Sequence, residues 1–108
     1  MPKPKGTTGA TKMKILAIVH HNSERGSASY GYSIWQDLKT YFHIYLDVGD
    51  TRNVYHHLKT LCAMDLLARE EDPSPTRRCL YRLTERGRNL RGRYERYLKI
   101  VRGEAPPS

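Results

Sequence analysis

From Met13 onward the apolar positions follow two periods, and the change from one to the other marks out the elements. Met13, Leu16, Ile18 and Val19, with Ile15 adding to the core face, predict a short apolar helix. The polar, Gly-containing run Asn22 to Ala28 reads as a loop, after which Ser27 or Ser29 caps a helix carrying Ile34, Leu38 and Tyr41 at helical spacing. Tyr30-Gly31-Tyr32 at the start of that helix suggests close packing where only a glycine fits. Ile44, Leu46 and Val48 then alternate with His43, Tyr45 and Asp47, the pattern of a short strand or extended turn. Gly49 breaks the chain and Asp50 caps a third helix, whose seam is Val54, Tyr55, Leu58, Leu61 and Cys62.

Leu66 to Glu71 is a strand candidate. Pro73 and Pro75 turn the chain, since neither continues a ladder in mid-strand. On the return strand Cys79, Tyr81 and Leu83 share one face, and Leu80 and Arg82 the other, giving a two-stranded hairpin with a basic tip. Thr84 then caps a helix from Glu85 to Val101 with the stripe Leu90, Tyr94, Tyr97, Leu98 and Val101. A small domain has little room to bury so long a helix, so part of the stripe is expected to pair with a second copy across a two-fold axis. The expected organisation is a basic, mobile arm over 1–12, a folded domain over 13–84, a dimerisation helix over 85–102 and a frayed tail over 103–108. No internal repeat is present.

A chain of 108 residues suits one domain, and 38% hydrophobic content is low but workable, more so if a second copy adds buried area. The net charge of +8 makes polyanions the natural partners, with a merely basic, solvated surface as the bland alternative. Cys62 and Cys79 are too few and too far apart for a zinc framework and read as buried free thiols in a reducing compartment. No apolar run reaches the roughly 18 residues that cross a membrane, and no secretory signal opens the chain, so a cytoplasmic, nucleoid-associated protein with no membrane partner is expected. His20-His21 and His56-His57 are adjacent pairs, which do not share a helix face. No nucleophile–base set or glycine-rich phosphate loop stands beside them, so neither catalysis nor a metal or cofactor is expected. Trp35 reads as a core or packing residue rather than the wall of a ligand pocket.

The chemistry concentrates on the third helix. On a wheel at about 100° per residue, Arg52, His56, Lys59, Thr60 and Ala63 lie opposite the seam, with Asn53 at the margin. Arg reads guanine and Asn reads adenine in the major groove, and the helix N-terminus at Thr51 suits a phosphate. An ordinary solvated face is the alternative, weakened by the basic hairpin alongside. Thr76, Arg77 and Arg78 sit where a wing would meet the DNA backbone or minor groove, on a loop stiffened by its prolines. The arginine-rich final helix also suits RNA contact, but no RNA-recognition sheet pattern accompanies it. The reading is an α+β winged helix-turn-helix: a three-helix core, a two-stranded wing and a C-terminal dimerisation helix. Its function is that of a sequence-specific double-stranded DNA binder. A sequence-neutral architectural protein and a protein-interaction module remain as alternatives.

Tyr30-Gly31-Tyr32-Ser33-Ile34, Val54-Tyr55-His56-His57-Leu58-Lys59-Thr60-Leu61 and Tyr81-Arg82-Leu83-Thr84-Glu85-Arg86-Gly87 resemble the motifs of PadR-type winged-helix regulators over roughly residues 13 to 101. The resemblance implies a homodimeric transcriptional repressor that places two recognition helices in successive major grooves. Thr51, Arg52, Asn53, His56 and Lys59 would then read DNA, with Arg77 and Arg78 on the wing. The chain departs from the pattern at Asp65, where a helix-ending glycine is usual, and in the longer Asn22 to Ser29 loop. Its C-terminal part reads as a single helix, so a family-style effector domain is not expected and nothing supports a small-molecule effector.

Overall fold

Five consecutive side chains, Ile15 to Val19, are buried on the first helix, and the other elements are arranged around them. A helix apolar on all sides must be covered on all sides. In this computed structural model, which describes residues 7–44, 50–71 and 79–104, the cover comes from both ends of the chain. The helix, α1 (Thr7–Glu24), packs against α5 (Arg91–Val101) on one side. On the other it meets α2 (Gly31–Phe42), α3 (Thr51–Ala63) and the strand β3 (Cys79–Leu83). β1 (Ser29–Tyr30), β2 (Leu67–Glu71) and the short α4 (Glu85–Asn89) complete the order α1-β1-α2-α3-β2-β3-α4-α5.

Several expectations are corrected. The first helix starts at Thr7, inside the segment read as a mobile arm, because Thr11 is buried and Ala10 and Met13 pack on the core. At its other end it runs through Glu24 into the expected loop and stops at Gly26, whose φ of +71° a side chain would resist. Neither Ser27 nor Ser29 caps α2. The N-cap position is Tyr30, where the Ser33 hydroxyl accepts the Tyr30 N–H at 3.0 Å and donates to the Tyr30 carbonyl at 2.9 Å. Ser29 instead accepts a hydrogen bond from Asn22. The sheet has three antiparallel strands in the order β1-β3-β2, not two: Ser29 pairs with Tyr81 and Tyr30 with Leu80. Two residues are too few for an alternating pattern to reveal a strand. The alternation expected over residues 43–48 lies mostly outside the described residues; α2 ends at Phe42 and His43 takes a left-handed φ of 56°.

The C-terminal helix is interrupted rather than continuous. Thr84 caps α4 as expected, its Oγ1 accepting the Gly87 N–H at 3.0 Å. The ladder breaks at Leu90, and α5 packs on α1, where Tyr94, Tyr97, Leu98 and Val101 are buried. The stripe read as a dimer surface is therefore part of the chain's own core. Tyr94 and Leu98 are wholly buried, Tyr97 and Val101 nearly so, and Leu90 alone is half-buried. Burying each such side chain contributes roughly 1.5–3 kcal/mol. Polar groups brace the seam: His20 Nδ1 meets the Tyr94 hydroxyl at 2.9 Å and the Arg102 guanidinium pairs with Glu24. Burial pushes the Tyr94 phenol up to about 12. It also lowers His20 from its ordinary 6.5, with Glu24 opposing.

A second junction ties helix to wing. α3 ends with Asp65 at φ +61°, where Asp65 N–H bonds the Cys62 carbonyl and Leu66 N–H the Leu61 carbonyl, each at 3.0 Å. The expected departure from glycine is thus a left-handed Asp. The Thr84 hydroxyl donates to the Asp65 carbonyl at 2.6 Å and the Thr84 N–H reaches the Leu66 carbonyl at 3.2 Å. Gly87 lies against this turn. A Cβ there would strike the Leu66 carbonyl oxygen, with Leu83 Cδ1 at 3.0 Å. Helices α2 and α3 with the paired strands β2 and β3 give the chain its winged-helix fold.

Candidate nucleic-acid interface

Helix α3 buries Val54, Leu58 and Leu61 completely, which fixes its opposite face toward solvent. Arg52, Asn53, His56 and Lys59 are all exposed on it, and Thr51 and Thr60 are half-buried. Past its N-cap, its first turn carries no acidic side chain. Asp50 holds the N-cap position with helical φ −75° and ψ −10° rather than in the extended geometry of a side-chain cap. The Thr60 hydroxyl bonds back to the His56 carbonyl at 3.1 Å, satisfying it within the helix.

The wheel put Tyr55 on the seam and left His57 unassigned. His57 is buried, 7% exposed, and joins the seam, whereas Tyr55, assigned to the seam, is 46% exposed. The wheel angle itself sets His57 nearer the Val54–Leu58–Leu61 direction than Tyr55. Polarity was the misleading signal. The Tyr55 ring lies over Gly31, where an added Cβ would come within 2.8 Å of its hydroxyl oxygen, so the close approach expected at Gly31 is made by this ring.

The wing stands beside α3. Arg82 bridges to Glu70 on the outer face at 2.9 Å. Arg69 lies across from Tyr81, diagonal to Cys79 on the same face, and its guanidinium donates to Cys79 Sγ from Nε at 3.1 Å and Nη2 at 3.0 Å. Thr76, Arg77 and Arg78 lie outside the described residues. Between α3 and the sheet runs a groove of about 550 Å³ walled by Tyr30, Tyr32, Tyr55 and Tyr81, with Lys59, Arg69, Cys62 and Cys79 along it. Both thiols are free and half-buried rather than buried. Burial pushes the Cys62 thiol up, against the pull of Arg69. Sequence reasoning missed Arg69 and Tyr32 as groove residues; a cross-strand diagonal depends on register, which the hairpin tip did not fix.

Among the described residues no cluster of three or more His, Cys, Asp or Glu side chains gathers, and no helix is long and apolar enough to cross a membrane. The profile of the transcriptional regulator PadR-like family matches residues 15–93. The fold is similar to the crystal structure of a PadR family transcription regulator from hypervirulent Clostridium difficile R20291. The TM-score is 0.59 at 21% sequence identity, over 84% of this chain and 91% of that one. No curated protein sequence matches the chain significantly. This chain belongs to the PadR-like family of transcriptional regulators, which are non-enzymatic DNA-binding proteins.

Proposed function

We propose that the chain acts as a homodimeric, sequence-specific repressor, setting α3 in the major groove and the wing on the backbone or minor groove. The observation that carries this reading is the exposed face Arg52, Asn53, His56 and Lys59 on helix α3. Arg52 and Asn53 supply base-edge readout, Thr51 and Lys59 hold phosphate, and His56 lies between them. Thr76, Arg77 and Arg78 serve as the wing contacts. The second copy seats at the Leu90 end of α4, where Leu90, Met13 and Met64 line a shallow groove and Met64 is 47% exposed. Tyr94, Tyr97, Leu98 and Val101 shape that interface from beneath by holding α5 on α1.

Selection from a random duplex library at near-physiological salt tests the reading. Enrichment of an inverted repeat with half-sites about one helical turn apart supports a dimeric, site-specific regulator. Retention without enrichment points to sequence-neutral coating, and no retention refutes duplex binding. Light scattering of the chain with Leu90→Glu separates dimer loss from DNA loss, and reporter expression from the selected site distinguishes repression from activation.

A further inference from the structure

We propose that the groove between α3 and the wing is a covalent capture site for quinones, with Cys79 as the nucleophile. Three features meet there. The Cys79 sulfur receives two guanidinium N–H donors from Arg69, at 3.1 and 3.0 Å, which hold the attacking atom at the wall of the groove. The walls of the groove are tyrosine rings, Tyr32 and Tyr55 being about half exposed, which suits a flat ring entering edge-on. Lys59 lies in the same groove and, with Arg69, places positive charge where carbonyl oxygens of the bound ring gain electron density. Among the described residues no carboxylate forms an ion pair with Arg69.

The step is a 1,4-addition. Cys79 Sγ bonds to the ring carbon β to one carbonyl, and the alkene electron pair moves onto that carbonyl oxygen. The thiol proton and the ring hydrogen released on rearomatisation end on the two oxygens. The product is a hydroquinone thioether, and the quinone is reduced by the addition itself. Cys62, on the same groove but with its thiol pushed up by burial, is the slower competitor. The adduct fills the space beside Lys59 and Tyr55. On the reading given above, which this last consequence rests on, it obstructs the approach of a duplex to α3.

The test uses the full chain with 1,4-benzoquinone below one equivalent, peptide mapping by mass spectrometry, and iodoacetamide as a probe that gains nothing from a flat, carbonyl-binding groove. Addition is expected at Cys79 ahead of Cys62 and should be lost in Cys79→Ser. The rate should fall about tenfold in Arg69→Gln. The quinone-to-iodoacetamide rate ratio at Cys79 should exceed that of free cysteine by about tenfold. Faster modification of Cys62, or a ratio equal to that of free cysteine, overturns the site. Duplex binding measured before and after treatment separates the two readings: a chain that maps as expected but never bound DNA refutes the regulator reading and leaves the capture site standing. An adduct on Cys79 that leaves existing duplex binding intact overturns the obstruction.

Discussion

Replacing Gly87 by alanine isolates the junction between helix α3 and the wing. In a helix the change normally stabilises by about 0.5–1 kcal/mol, since alanine loses less backbone entropy. At Gly87 the new Cβ meets the Leu66 carbonyl, which is backbone and cannot swing aside, and Leu83 Cδ1 at 3.0 Å. Relief requires α4 to draw back from the turn. That stretches the Thr84 N–H bond to Leu66 and the Thr84 hydroxyl bond to Asp65. Overpacking of this kind costs about 1–3 kcal/mol, and each weakened hydrogen bond about 1 kcal/mol more. After the helix gain is deducted, a net loss of about 2–4.5 kcal/mol remains, and at about 4–8 °C per kcal/mol the melting temperature should fall by roughly 8–36 °C. The same substitution at Gly92 is the control, because nothing lies within 4 Å of its Cβ position. Gly92→Ala should stabilise by about 0.5–1 kcal/mol. Urea unfolding followed by circular dichroism measures both. If the two alanines shift stability in the same direction by similar amounts, the account of the junction is refuted.

Asp65→Gly should stabilise by about 0.5–1 kcal/mol and Asp65→Val destabilise by at least as much, since only the left-handed φ separates them; equal effects in thermal melts would count against it. Thr84→Ala should cost about 1–2 kcal/mol by removing both the Gly87 cap and the Asp65 bond, while Thr84→Ser keeps most of it. His20 and His21 are both held below their ordinary 6.5 by burial, so the unfolded chain binds protons first as pH falls. Stability should therefore be full above about pH 6.5 and decline toward pH 5, with a shallower decline in His20→Gln; a flat pH profile would be inconsistent with the buried seam. On the proposed DNA reading, Arg52→Ala and Asn53→Ala should each cost about 1–3 kcal/mol at particular base pairs, while Arg77→Ala weakens all duplexes alike and lowers the salt slope by about one; equal losses on selected and random duplexes for all three would contradict the groove assignment.

Much of this architecture was legible in the sequence because it depends on local rules. The Val54–Leu58–Leu61 seam, the Thr84 cap and the paired runs of the wing each report a period or a capping chemistry that tertiary context did not override. What stayed hidden depends on partners distant in the chain. Leu90 itself carries no breaker, yet the last helix divides there, between Gly87 and Gly92, where α1 draws Tyr94 and Leu98 into the core. That same pull changes the stripe from an expected surface between copies into a core within one. Ser29 and Tyr30 form a strand because β3 offers an edge. His57 closes the seam in place of Tyr55, whose ring lies over Gly31 instead.

The embrace of α1 by α5 has a consequence for how the chain is made. His20 meets Tyr94 across 74 positions and Glu24 meets Arg102 across 78, so α1 waits for α5, made much later, before all its apolar sides are covered. Until α5 has been made and docked, the side of the Ile15–Val19 segment that faces it stays available to chaperones or to a neighbouring nascent chain, so docking of α5, rather than completion of α3, closes that surface.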